Sequence, residues 1–200
     1  MDLQLFYLIN QFAGNNPLLD QCMILLSEYG ATVFVLLLGG IWLLRKRDGS
    51  SQHAVLFALL AIVLALGFNQ VIGYFYFRPR PFVLNDVSLL ILKSAESNSF
   101  PSNHAAGAFA IAFVFLWQQR ILGILLLGLA VLLALSRIYV GVHYPLDILA
   151  GTLLALLATV LVYWQRETIV SLIQRFTALL PSKAAPERGE SASLESRAKK

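Results

Sequence analysis

The chain has 200 residues, 58% hydrophobic and only 13% charged, with a formal net charge of +4, and its mean hydropathy is +0.72. That composition cannot supply a surface facing water on all sides, so a soluble single domain is excluded and lipid is the expected solvent. The basic excess does not point to nucleic acid either, because the cations are divided among short loops, polar islands and the C-terminal tail, as membrane topology requires.

In chain order, Asp2 to Ala13 is a short apolar start that opens with an acid rather than a basic region, so no cleavable signal peptide is read. Gly14-Asn15-Asn16-Pro17 is a turn that introduces Leu18 to Ser27. Asp20, Glu28 and Gly30 interrupt the next pattern, so Pro17 to Leu44 fits either one long tilted helix or, the preferred reading, a short interfacial helix followed by a span, with residues 1–30 apolar or interfacial and Ala31 to Leu44 the first span, closed by Arg45-Lys46-Arg47. Cys22, alone in the chain, is expected to be an inert packed thiol. Ala54 to Phe77 carries no charge, and at about 1.5 Å per helical residue it crosses a hydrocarbon layer of roughly 30 Å. His104 to Trp117, Ile121 to Ile138 and Leu146 to Trp164 follow, with Trp117 and Trp164 at interface depth. The expected architecture is an all-α polytopic bundle of five to six transmembrane helices with its core in residues 31–165. Ile169, Leu172, Ile173, Phe176 and Leu179 then predict an amphipathic helix on the inner surface over 166–180, and the polar stretch 181–200 is expected to be disordered.

Counting spans puts Arg45, Lys46, Arg47, Arg120 and Arg166 on one side, which the positive-inside tendency assigns to the cytoplasm. His53 falls on that side too and is read as a solvated interface residue. Three polar islands fall on the other side: Arg78-Pro79-Arg80-Pro81, Pro101-Ser102-Asn103-His104, and Ser136 to Asp147. Ionisable groups among membrane segments are costly, and three such islands on one rim describe an extracytoplasmic active site. The loop 82–100 between two of them, with Asp86, Lys93 and Glu96, is read as a solvated loop in preference to a lid.

Each island supplies distinct chemistry. Ser102 or Asn103 can cap a helix whose free N–H groups face the rim, a setting that favours phosphate. Arg80 and Arg137 are permanent planar cations suited to gripping phosphoryl oxygens. Pro145 suits a first helical turn, which leaves His143 just outside the helix and Asp147 one turn inside it. The Asp147 carboxylate is expected to accept the Nδ1 proton of His143, freeing Nε2 as nucleophile or base, while His104 serves as the acid. A divalent metal is not expected among flanking arginines, so activity should persist in EDTA.

These residues resemble the type 2 phosphatidic acid phosphatase superfamily of membrane lipid phosphatases. The family's last motif, Ser-Arg-x5-His-x3-Asp, is matched by Ser136, Arg137, His143 and Asp147, and its middle motif, Pro-Ser-x-His, by Pro101, Ser102 and His104. Its first motif, Lys-x6-Arg-Pro, is matched only at Arg80 and Pro81, because Gly73 stands where the Lys is expected. Arg78, Asn69 and Gln70 are the candidates to replace that phosphate contact. The compact size and Asn69-Gln70 ahead of Arg-Pro-Arg-Pro-Phe are similar to bacterial undecaprenyl-diphosphatases of the bacitracin-resistance type. The resemblance implies a phosphohistidine on His143, proton donation by His104, orientation by Asp147, and phosphate binding by Arg80, Ser102 and Arg137 with Ser136, Asn103 and Arg78 nearby. It also implies no cofactor or metal, a polyprenyl diphosphate as substrate, and membrane lipids as the surroundings.

Overall fold

Asn16 holds an extended backbone while its Oδ1 accepts from the N–H groups of Leu18 at 3.1 Å and Leu19 at 3.2 Å, and Pro17 brings the preset φ of a first helical turn. From that cap, helix α2 runs unbroken from Pro17 to Leu44, 28 residues. The expected division into an interfacial helix before residue 30 and a span after it is therefore corrected. Gly30 is not a break but a contact: a Cβ there would lie 2.7 Å from Leu133 Cδ1, so the close helix packing offsets glycine's poor helix propensity. Asp20 sits in the first turn, where the helix dipole favours an acid, and accepts from Tyr139 Oη at 2.7 Å.

This computed structural model describes residues 1–45 and 49–179. Helix α1 is Asp2–Asn10, α3 is Gly49–Phe75, α4 is the single turn Pro81–Leu84, α5 is Asn103–Gln118, α6 is Arg120–Tyr139, α7 is Pro145–Trp164 and α8 is Arg166–Leu179. Among the described residues, four helices are long and apolar enough to cross a membrane: α2, α3, α6 and α7. Five to six were expected, and α5, also apolar, falls outside this group by its length. Helix α5, with 16 residues, rises only about 24 Å, short of the roughly 30 Å hydrocarbon core. It has no need to match the bilayer, because α3, α6 and α7 pack around it. Its alanines at 105, 106, 108, 110 and 112 are buried with Phe109, Ile111, Val114 and Phe115, and small side chains let the neighbouring helices approach closely.

Helix α1, nine residues long, is too short to span. It lies against α6 and α7, with Phe6 fully buried between Ile138 and Tyr144. Asn10 pins its end: Nδ2 donates to the carbonyls of Tyr139 at 2.8 Å and Ser88 at 2.9 Å, and Oδ1 accepts from Ser88 N at 3.0 Å. Along the bundle, large apolar residues such as Leu36, Val63, Leu125 and Leu153 are exposed, as a lipid-facing surface requires. Cys22, expected to be packed, is on that exposed face. Lipid is as apolar as a core, so a thiol has no strong preference between them.

The helix ends sort into two groups. At one end, Arg45 Nη1 donates to Gln119 Oε1 at 3.1 Å and Gln119 Nε2 to Ser51 Oγ at 2.6 Å, which brings together the termini of α2, α3, α5 and α6. His53 belongs to this end, stacked on Phe57. At the other end, Asn69 Nδ2 donates to Asn103 Oδ1 at 2.9 Å, and Ser102 N to the Asp147 carbonyl at 3.0 Å. The residues up to Trp164 form one compact unit and those from Gln165 another, in which α8 is the helix anticipated from the spacing of Ile169, Leu172 and Ile173. The tail expected at 181–200 lies outside the described residues.

Candidate active site

All three polar islands come to the end of the bundle where α3 finishes and α5 and α7 begin. Arg80 stands just before α4, Ser102 caps α5, Arg137 is in the last turn of α6, His143 is in the turn after it, and Asp147 is in the first turn of α7. A cavity of about 310 Å³ opens there, lined by Arg80, Asn103, His104, Arg137 and His143, together with Lys93, Ser97 and Asn98. Five of the expected site residues thus share one space.

His143 is 3% exposed. Its Nδ1 lies 2.9 Å from the Ser99 carbonyl, 3.4 Å from Ser99 Oγ and 3.6 Å from Asp147 Oδ2. A carbonyl only accepts, so Nδ1 carries the proton and Nε2 keeps its lone pair, which faces Arg80 Nη1. The direct Asp147 hydrogen bond expected from the sequence is therefore corrected to an indirect one. Asp147 Oδ2 is already taken by Ser99 Oγ at 2.5 Å and Tyr144 N at 2.8 Å, so it positions the segment that holds His143. Burial pushes the imidazole's pKa down to about 4, with the Arg137 and Arg80 charges adding to the effect and Asp147 opposing it. At neutral pH the ring is uncharged.

Arg80 is gripped by neutral oxygens: Nε by Ser97 Oγ at 2.7 Å, Nη1 by the Val142 carbonyl at 2.9 Å and Nη2 by the Asn98 carbonyl at 3.2 Å, while Nη1 lies 3.4 Å from His143 Nε2. None of these partners carries a negative charge, so the guanidinium's field remains available to an anion at the nucleophile. Arg137 is 1% exposed, with Nη1 on Ser27 Oγ at 2.6 Å and on the Ser27 carbonyl at 2.8 Å. Its Nε is buried with no hydrogen-bond partner among the described residues. A buried cationic donor left unsatisfied calls for an acceptor, and a phosphoryl oxygen in the cavity would supply one. His104 has no hydrogen-bond partner among the described residues and faces the same space.

Other expected contacts fall elsewhere. Arg78 does not line the cavity. Its Nη1 binds Asp147 Oδ1 at 2.7 Å, its Nη2 binds Asp2 Oδ2 at 2.5 Å, and its guanidinium carbon lies 3.9 Å from the Tyr144 ring centroid. Two carboxylates and an aromatic face hold it more firmly than a transient anion could, which corrects its expected place on the phosphate. Ser136, fully buried, donates to the Leu133 carbonyl at 2.7 Å, and Ser102, also fully buried, accepts from Ala105 N at 3.4 Å; neither lines the cavity. Ser102 instead caps α5. Asn69 reaches the site only through Asn103.

The structure adds residues that sequence reasoning passed over. Lys93, Ser97, Asn98 and Ser99 come from the loop read as merely solvated, and that loop is instead a wall of the cavity. The polar run Ser97-Asn98-Ser99 directly before Phe100-Pro101 was the available signal. Asp2 was noted only as the absence of a basic start, although a carboxylate in an apolar segment asks for a cation. It holds Arg78 and also accepts from Leu146 N at 3.0 Å, tying α1 to the first turn of α7.

The profile of the PAP2 superfamily matches residues 54–171. Undecaprenyl-diphosphatase BcrC of Bacillus subtilis (strain 168) is 36% identical over 157 residues, 78% of this chain and 80% of that protein. Among solved structures, Aquifex aeolicus LpxE superposes with a TM-score of 0.67 at 32% identity, covering 81% of this chain and 94% of that one. A PAP2-type phosphatidylglycerolphosphate phosphatase from Bacillus subtilis superposes with a TM-score of 0.60 at 29% identity, covering 84% and 87%.

Proposed function

Because this chain belongs to the PAP2 superfamily and is a membrane phosphatase of that type, we propose that it hydrolyses the terminal phosphate of undecaprenyl diphosphate at the extracytoplasmic face of a bacterial cytoplasmic membrane. The products are undecaprenyl phosphate and inorganic phosphate, and the reaction returns a lipid carrier to cell-wall synthesis and supports bacitracin resistance. The observation that carries the chemistry is the shared cavity of His143, His104, Arg80 and Arg137. The similarity to an undecaprenyl-diphosphatase carries the substrate.

Neutral His143 attacks the terminal phosphorus through Nε2, and the bond from phosphorus to the bridging oxygen breaks as the N–P bond forms. His104, protonated in the field of the substrate's phosphate charges, gives its proton to that bridging oxygen, so undecaprenyl phosphate leaves and a phosphohistidine remains. Neutral His104 then takes a proton from water, whose oxygen attacks the phosphorus and releases His143 and phosphate. Arg80 and Arg137 balance the charge on the equatorial oxygens in both steps. Asp147 acts through Ser99 and the Tyr144 amide, keeping the imidazole in its reactive tautomer.

A second reading, a phosphatase for phosphatidylglycerophosphate, phosphatidate or diacylglycerol diphosphate, is favoured by the likeness to a phosphatidylglycerolphosphate phosphatase structure. A role as an anionic-lipid carrier would use the arginines but gives the Nε2 lone pair of His143 no purpose. The deciding experiment offers purified protein each of these lipids side by side in detergent and measures phosphate release. Fastest release from undecaprenyl diphosphate, abolished by His143→Ala, is expected. Faster release from a glycerolipid phosphate would replace the first reading with the second, and binding without release would leave the carrier.

A further inference from the structure

The cavity is larger and more cationic than one phosphoryl group requires. We propose that Lys93, with the side-chain amide of Asn103, forms a subsite for the phosphoryl group that stays on the lipid, so that the site selects a diphosphate headgroup over a monophosphate. The inference rests on the reading above that the substrate is a lipid diphosphate.

Depth orders the lining residues. His143, Arg137 and Arg80 are buried at the floor, His104 is half-buried, and Lys93 and Asn103 are exposed at the mouth. The nucleophile is at the floor, so the terminal phosphoryl must go there. The inner phosphoryl, still joined to its lipid, is then left at the mouth beside Lys93 and Asn103, and the bridging oxygen falls at the level of His104, the group that must protonate it.

The donors at the mouth are free to act. Lys93 has no hydrogen bond or salt bridge among the described residues. Asn103 spends its Oδ1 on Asn69, which orients its NH2 group away as a remaining donor. The charges match as well. The cavity lining contributes three cations, Arg80, Arg137 and Lys93, and no carboxylate, while the nearby Asp147 is buried and paired with Arg78. Two guanidinium groups suffice for a single phosphoryl group. A third cation at the mouth is complementary to a second one. The volume of about 310 Å³ corresponds to roughly ten waters at about 30 Å³ each, more space than one phosphate of five heavy atoms fills.

The test measures binding of inorganic pyrophosphate and of orthophosphate by calorimetry to the full-length protein, to Lys93→Gln and to Lys93→Arg, alongside turnover of undecaprenyl diphosphate. Lys93→Gln should weaken pyrophosphate about tenfold, the scale of one charged hydrogen bond at an exposed site, while orthophosphate changes by less than about twofold. Lys93→Arg should retain most of the pyrophosphate affinity, and lipid diphosphate turnover should fall with Lys93→Gln. Equal weakening of both anions, or of neither, would overturn the subsite. Loss of pyrophosphate selectivity in a protein that does not turn over undecaprenyl diphosphate would keep the subsite and sink the lipid assignment. Full lipid diphosphate turnover by Lys93→Gln would do the reverse.

Discussion

Burial, more than any one neighbour, sets the protonation of His143, and its consequence has a definite sign. A folded-state pKa of about 4 lies below the ordinary imidazole value of about 6.5, so between those pH values the unfolded chain binds a proton that the folded chain does not. Stability from this group is complete above the higher value and is lost as pH falls toward the lower one. The thermal midpoint of the wild type, measured against His143→Asn in the same detergent, should therefore decline by several degrees between those pH values. A constant difference would mean that the imidazole charges normally. At Asp2, replacement by Asn leaves Arg78 with one carboxylate and loosens Asp147. The expected result is a kcat about tenfold lower with KM within about twofold, largely restored by Asp2→Glu. An unchanged kcat would make Asp2 a tether for α1 only. His143, His104, Arg80 and Arg137 were legible in the sequence, because charged residues between apolar spans have few reasons to be there. The partners were not: whether Arg78 turns to phosphate or to Asp2 depends on which carboxylate the fold brings within reach.

The crossing of α5 and α7 is the element that brings His104 toward His143. Gly151 makes it possible, since a Cβ there would lie 2.5 Å from the Ser102 carbonyl oxygen and 3.2 Å from Ala106 N. Both are backbone atoms and neither can swing aside. Gly151→Ala should push the start of α5 away from α7, stretch the bond from Ser102 N to the Asp147 carbonyl, and lower stability by about 1–3 kcal/mol, the usual scale of overpacking. Phosphate release should fall with it. Gly39→Ala, on α2 where a Cβ meets nothing within 4 Å, is the control and should change neither; an equal loss there would mean that helix glycines act through flexibility rather than contact. Helix positions were readable from apolar runs and prolines because those signals are local. The unbroken course of α2 and the sub-membrane length of α5 were not, since one depends on Leu133 of another helix and the other on being surrounded by protein.

For the whole molecule, the division of helix ends into a basic group and a catalytic group makes the side of the reaction testable. In a Cys22→Ala background, Glu96→Cys should react with a membrane-impermeant thiol reagent in intact cells, and Gly49→Cys only after permeabilisation. The opposite pattern would put the site in the cytoplasm. Composition and the spacing of charges determined by themselves that this chain lives in lipid, that it is helical, and that His104, Arg137, His143 and Asp147 come to one end of the bundle, because the cost of ionisable groups in apolar surroundings is paid residue by residue. Only the tertiary structure decided that Asp147 reaches His143 through Ser99, that Arg78 is held away from the cavity, and that Lys93 stands at its mouth. Hydrogen bonds reach only about 3 Å, so which donor meets which acceptor is settled by how helices and loops pack, not by their order along the chain.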